Sequence, residues 1–243
     1  MKAIARWTGL VVLAFIALQL FFVVRIAVMA GVDPQSTTFQ RSEAWRIATE
    51  KDKLRWRQEW VPYGQISDHL KRAVIASEDG TFVNHDGVDW DALEKAWERN
   101  AKAEELAARR AQRAPSRVRP PKIVGGSTIT QQLAKNLLLS GERTMPRKGQ
   151  EIVLTFVLEK MLSKQRILEI YLNNVEWGEG VFGAEAAAQH YFRKGAGKLS
   201  PYEAARLAVM LPQPKRFEKN PGSGYLAGRA STIVARMRDA ELP

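Results

Sequence analysis

The chain has 243 residues, 45% hydrophobic and 26% charged, proportions of an ordinary globular protein that argue against the disordered and fibrous classes. Its 37 Lys and Arg against 26 Asp and Glu give a net charge of +11, which points to an anionic surface, polymer or ligand among its partners without saying which. There is no cysteine, and the three histidines (His69, His85, His190) form no His-x-x-x-His pair. Disulfides, thiolate zinc sites and cysteine nucleophiles are therefore excluded, and any metal would have to be oxygen-bound.

From Trp7 to Val24 the sequence runs through 18 residues whose only strongly polar member is Gln19. As a helix this stretch spans about 27 Å, close to the hydrocarbon thickness of a bilayer, and a membrane anchor is expected over residues 7–30. Lys2 and Arg6 precede it, so the positive-inside bias leaves residues 1–6 in the cytoplasm and the rest of the chain outside. A cleaved signal peptide is the competing reading, because Val28-Met29-Ala30 has the small-residue look of a processing site, but the apolar run is longer than a usual signal core. Residues 31–65 interleave aromatic and basic side chains (Trp45, Arg46, Lys51, Lys53, Arg55, Trp56, Arg57, Trp60). They read either as a juxtamembrane stretch near anionic headgroups or as an ordinary amphipathic helix.

Beyond residue 65 helical patterns are broken by Gly and Pro, alternating apolar runs are few, and no internal repeat occurs, so a mainly α domain is expected over 66–222, with a helical tail over 223–243. Ser67 to Asp79 reads as a helix with Ser67 as N-cap and Gly80 as terminator. Glu78 and Asp79 then sit at the negative pole of the helix dipole, which would raise their pKa and suit one of them to general-base work; the plainer alternative is a pair of solvated turn residues. Residues 100–122 carry seven Lys and Arg against two Glu; the first half can extend the helix holding Trp97, and Pro115, Pro120 and Pro121 end it, leaving a flexible basic loop. In Gly125-Gly126-Ser127-Thr128, Thr128 and Gln131 form a capping box opening a helix that carries Lys135 and Asn136. Its free backbone N–H groups and the nearby lysine suit a phosphate or pyrophosphate, although the pattern is not a Walker loop. Arg147 and Glu151 stand four apart at the start of a long apolar helix. They form either a surface ion pair or a cation and a second acid sharing a cleft with Glu78, and paired carboxylates are the usual equipment of glycosyl chemistry.

Taken together these segments resemble the biosynthetic peptidoglycan glycosyltransferases, in their monofunctional membrane-anchored form. Glu78-Asp79-x-x-Phe82-x-x-His85-x-Gly87 is similar to the family's first motif, and Gly125 to Asn136 (GGSTITQQLAKN) to its second. Arg147-Lys148-x-x-Glu151 matches the third, Lys164 to Asn173 the fourth, and Gly183-x-Glu185-Ala186-Ala187 with Tyr191-Phe192 the fifth. The resemblance implies a mainly α, lysozyme-like lobe with a small membrane-associated lobe, anchored by one helix in the inner (plasma) membrane with its catalytic domain periplasmic. It implies transfer of an undecaprenyl-diphosphate-linked glycan onto lipid II, with inversion and a new β-1,4 bond. By the same carry-over Glu78 and Glu151 are catalytic, Glu78 as the base. Asp79, Phe82, His85, Ser127, Thr128, Gln131, Gln132, Lys135, Asn136, Arg147 and Lys148 bind substrate, with Lys135 and Arg147 neutralising the departing diphosphate. Partners implied are lipid II, the growing lipid-linked glycan, membrane lipids and proteins of cell-wall synthesis or division, with no nucleic acid. No cofactor follows; a divalent cation such as Mg²⁺ is compatible, but no ligand cluster fixes a site. The basic loop is longer than usual for the family, and the absence of Ser-x-x-Lys and Lys-Thr-Gly excludes a penicillin-binding transpeptidase. A lytic hydrolase and a non-catalytic, membrane-tethered basic binding protein are the alternatives; neither accounts for the anchor, Lys135, Arg147 and the five ordered motifs together.

Overall fold

A computed structural model describes residues 1–51, 55–113, 125–142 and 144–243. Residues 114–122 of the expected basic loop lie outside the described residues. Among those described, the chain is mainly α, as expected: α1 (Lys2–Val28), α2 (Thr38–Glu50), α3 (Asp68–Glu78), α4 (Trp90–Arg113), α5 (Ile129–Leu138), α6 (Met145–Met161), α7 (Lys164–Asn174), α8 (Ala184–Phe192), α9 (Pro201–Met210), α10 (Pro214–Phe217) and α11 (Gly224–Arg236). The caps are local sequence effects. Ser67, Thr144, Ser163, Ser200 and Ser223 each accept a backbone N–H of their own helix's first turn, before α3, α6, α7, α9 and α11. Such side chains satisfy donors that a helix start otherwise leaves open.

α3, α9 and α11 pack together, and α5 packs with α6 and α7, around one core that includes Leu70, Leu133, Leu154, Ile170 and Leu207. Trp177 is wholly buried, and its indole N–H donates to the Leu207 carbonyl at 3.0 Å. Three short strands, β1 (Arg57–Gln58), β2 (Glu176–Gly178) and β3 (Val181–Phe182), form a sheet in the order β1-β3-β2. β1 runs parallel to β3, with Arg57 opposite Val181, and β2 runs antiparallel to it.

α1 is long and apolar enough to cross a bilayer. Its side chains from Leu10 to Phe21 are largely exposed, whereas Phe22, Ile26 and, just past the helix, Met29 are buried in the domain core. The Gln19 and Gln150 side-chain amides exchange hydrogen bonds of 3.3 and 2.9 Å, joining the anchor to α6. The segment after the anchor folds back onto the domain. Thr38 Oγ1 donates to the Leu137 carbonyl at 3.0 Å, Gln40 Nε2 donates to the Asn174 carbonyl at 3.3 Å, and Arg46 pairs with Glu179 at 3.0 Å. Within residues 31–65 the helix α2 packs on α5.

Gly183 opens α8 at φ 84°, and a Cβ there would stand 2.7 Å from the Asn173 carbonyl oxygen. Gly183→Ala is expected to cost roughly 1–3 kcal/mol, lowering Tm by about 2–4 °C for each. Gly228→Ala, inside α11 with open space around it, should leave Tm unchanged or raise it. Thermal melts of the full chain in detergent followed by circular dichroism check both.

Candidate active site

α3 ends at Glu78, and the backbone turns extended at Asp79, with φ −161°. The two adjacent carboxylates therefore meet different surroundings. Asp79 is buried; its Oδ1 lies 2.9 Å from His85 Nε2, and its Oδ2 accepts the Ile129 N–H at 2.9 Å. His85 Nδ1 accepts the Gly87 N–H at 3.1 Å, which assigns the ring proton to Nε2, donating to Asp79. Thr128 Oγ1 donates to the Gly87 carbonyl at 2.6 Å, and the capping box is present as expected, with Gln131 N–H on Thr128 Oγ1 at 3.2 Å and Thr128 N–H on Gln131 Oε1 at 3.0 Å. Phe82 has no exposed surface; the Lys164 ammonium sits 4.6 Å from its ring centre and donates to the His85 carbonyl at 2.6 Å.

Asp79, His85 and Thr128 tie motif to motif, and Asp79 and Thr128 also line the cavity that holds Glu78. The start of α5 is not an open row of donors: the Ile129 and Gln131 N–H groups are taken by Asp79 and Thr128. Backbone donors at that helix end are thus partly used within the protein.

Glu78 is half-buried, and its Oε2 accepts from Gln132 Nε2 at 3.0 Å. The Gln132 Oε1 in turn accepts from the Tyr171 hydroxyl at 3.0 Å. A phenol donating to the carbonyl side fixes the amide so that its NH₂ faces Glu78. Burial raises the Glu78 pKa above the usual carboxylate range; the bonds from Gln132 and Ser77 oppose the rise, and the charge of Asp79 adds to it. The rise expected from the helix end is present in direction, but its principal cause is desolvation.

Two cavities meet at Ser127, which lines both. The smaller, about 230 Å³, is bordered by Glu78, Gly80 and Gly126, with Lys95 and Arg99 of α4 on its wall. The larger, about 500 Å³, is bordered by Gln131, Gln132, Lys135 and Asn136 of α5, by Arg147, Lys148 and Glu151 of α6, by Phe39 of α2 and by Glu176 of β2. Glu151 is buried; its Oε2 pairs with Arg147 at 2.8 Å and its Oε1 with Lys148. This is a cavity wall, not the solvated ion pair that spacing alone allows. The Arg147 Nε is buried and has no partner among the described residues. Lys135 is exposed at the mouth of the same cavity.

Several groups at these cavities carry no sequence signal of their own. Lys95 and Arg99 belong to none of the five motifs, Phe39 falls in the stretch after the anchor, and Tyr171 reads as packing. Glu176 is buried, and burial pushes its pKa up to about 7; Lys215, 3.6 Å away, opposes the rise and Glu43 adds to it. Lys215 pairs with Glu43 as well, linking α2 through α10 to the cavity wall. Among the described residues no cluster of three or more His, Asp or Glu could hold a metal ion.

A family model described as Transglycosylase matches residues 46–238. A biosynthetic peptidoglycan transglycosylase of Paraburkholderia xenovorans is 52% identical over 242 residues, 98% of this chain and 94% of that protein. The protein of the same description from Burkholderia thailandensis is 50% identical over 246 residues, 100% of this chain and 90% of that one.

The contrast between the neighbouring carboxylates is measurable. A raised pKa in the folded state means that Glu78 favours folding below the ordinary carboxylate pKa and loses that contribution as pH rises through the raised value. At pH 7 Glu78→Gln should therefore melt no lower than the parent chain. Asp79→Ala deletes an acceptor serving two donors, each bond to a charged group worth about 1.5–3 kcal/mol, and should melt several degrees lower in the same experiment.

Proposed function

The chain belongs to the transglycosylase family and is a peptidoglycan transglycosylase that polymerises glycan chains, and we propose that it does so with Glu78 as base and Lys135 and Arg147 as the cations that receive the leaving group. The substrates are lipid II as acceptor and an undecaprenyl-diphosphate-linked glycan as donor. Glu78 takes the proton of the acceptor 4-hydroxyl while that oxygen attacks C1 of the donor sugar. The bond from C1 to the diphosphate breaks, a β-1,4 linkage forms with inversion, and undecaprenyl diphosphate leaves. Negative charge grows on the diphosphate oxygens as that bond breaks, and fixed cations there lower the barrier.

The observation carrying this reading is the meeting at Ser127 of a cavity that holds a raised-pKa carboxylate with a cavity walled by Lys135, Arg147 and Lys148. A base working near neutral pH needs a pKa nearer the working pH than an exposed carboxylate has, and burial supplies it. Gln132 and Tyr171 are positioning residues that aim Glu78. Glu151 is assigned to holding Arg147 and Lys148 side by side, and Asp79, His85, Phe82 and Thr128 to joining the loop after α3 to α5. α1 is the membrane anchor, with the N-terminus cytoplasmic and the catalytic domain on the outer face of the plasma membrane.

Incubated with lipid II, the full chain in detergent should give a ladder of glycan polymers on a gel. Glu78→Gln should slow polymerisation about 10²–10⁴-fold, and Lys135→Ala or Arg147→Ala about a hundredfold or more. Gln132→Ala removes a bond that favours charged Glu78, so the acid limb of its pH profile should move to higher pH. Shortened glycan fragments in place of ladders, or a normal rate in Glu78→Gln, would overturn the proposal.

A further inference from the structure

A third cavity, of about 750 Å³, opens between the end of α9, α10 and the start of α11. Phe217 and Tyr225 lie on its wall with ring planes 8° apart and centres 5.9 Å apart, Tyr225 being 56% exposed. Such a flat aromatic face suits the apolar face of a sugar or a peptide side chain. Two exposed guanidiniums, Arg216 and Arg229, border the same space. Arg216 donates to Gln213 Oε1 at 3.0 Å, and among the described residues no carboxylate pairs with either arginine. Two cations without counter-charge beside an aromatic plate form a receptor for a carboxylate on an otherwise uncharged body.

The position of this cavity narrows the ligand. Gly125 borders it and also borders the cavity that holds Glu78, so a chain lying across Glu78 continues into it past Gly125. Arg229 is on α11, which packs on α9 and α3, and Arg216 is on α10, which packs on β2, whereas the anchor packs on α6. The shared border at Gly125 favours a part of the acceptor that projects sideways from the glycan. In peptidoglycan, that part is the carboxylate-bearing stem peptide.

We propose that Arg216 and Arg229, with Phe217 and Tyr225, form a subsite for the stem peptide of the acceptor and hold its carboxylates while the sugar 4-hydroxyl lies at Glu78. The inference rests on the function proposed above. It makes this cavity a specificity element, reading the peptide that marks the substrate and keeping the acceptor in register between additions.

The test uses the full chain in detergent and two soluble probes lacking lipid and diphosphate: the disaccharide-pentapeptide with free carboxylates, and the same compound with every carboxylate converted to a carboxamide. By titration calorimetry the parent chain should bind the free acid about tenfold or more tighter, the scale of one charge-assisted contact. The double variant Arg216→Gln/Arg229→Gln should lose that preference; both side chains are exposed, so the exchange opens no buried gap. Tyr225→Ala should weaken both probes alike. Equal binding of the two probes by the parent, or a preference that survives in the double variant, would overturn the subsite. So would a double variant that loses only its binding to phosphatidylglycerol vesicles, which would assign the arginines to the membrane. Polymerisation of lipid II by the parent is read in the same preparation: no polymer overturns the function proposed above, whereas polymer together with arginine-independent probe binding overturns only this subsite.

Discussion

The buried carboxylate of Asp79 joins the end of α3 and the turn after it to a segment far along the chain. One oxygen faces His85, in the turn after α3, and the other accepts the first N–H of α5, fifty residues on. A helix that continued past Glu78 would carry Asp79 round with it and lose both bonds; the extended backbone at Asp79 keeps them and leaves Glu78 at the cavity. Thr128 reinforces the joint through Gly87, and Lys164 does so through the His85 carbonyl. α3 and α5 are thereby held so that Gln132 reaches Glu78, and the electrostatics of the site follow from that alignment.

The two glutamates illustrate how surroundings separate chemically identical groups. Glu78 meets one amide donor and one weak hydroxyl contact, and burial and the charge of Asp79 disfavour its charged form. Glu151 meets a guanidinium and an ammonium, and its charge is matched twice. Carboxylates whose environments diverge in this way are suited to different tasks: one to exchange a proton, the other to anchor cations beside a growing negative charge. The pairing of Glu151 is intrahelical, so α6 brings Arg147 and Lys148 to the cavity already fixed.

The apolar stretch that becomes α1, the Ser67 cap, the Thr128–Gln131 capping box and the Arg147–Glu151 spacing are all legible in the amino-acid sequence, because they are local patterns and local patterns survive folding. Contacts between segments distant in the chain are not legible in that way. Strands of two and three residues have no periodicity to detect, so the sheet that pairs Arg57 with Val181 leaves no trace in the sequence. Tyr171 reads as a core aromatic until Gln132 is found against it, and Glu176 reads as one more acid until β2 buries it. The docking of the anchor through Gln19 and Gln150 is similar: a lone polar residue in an apolar run is visible, its partner on α6 is not. For Glu78 the helix end suggests the right direction of pKa shift, but the largest cause in the folded protein is burial, which the sequence does not show.

The fold itself holds Glu78 at a raised pKa before any substrate binds, and the proposed chemistry depends on this. Isotope-edited infrared titration of the full chain, with glutamate labelled at the side-chain carboxyl and the band assigned by its disappearance in Glu78→Gln, reads this group directly. A protonated carboxyl band that persists well above the ordinary glutamate range, near pH 4.3, is the predicted result. A Glu78 band that vanishes within that range would contradict the account.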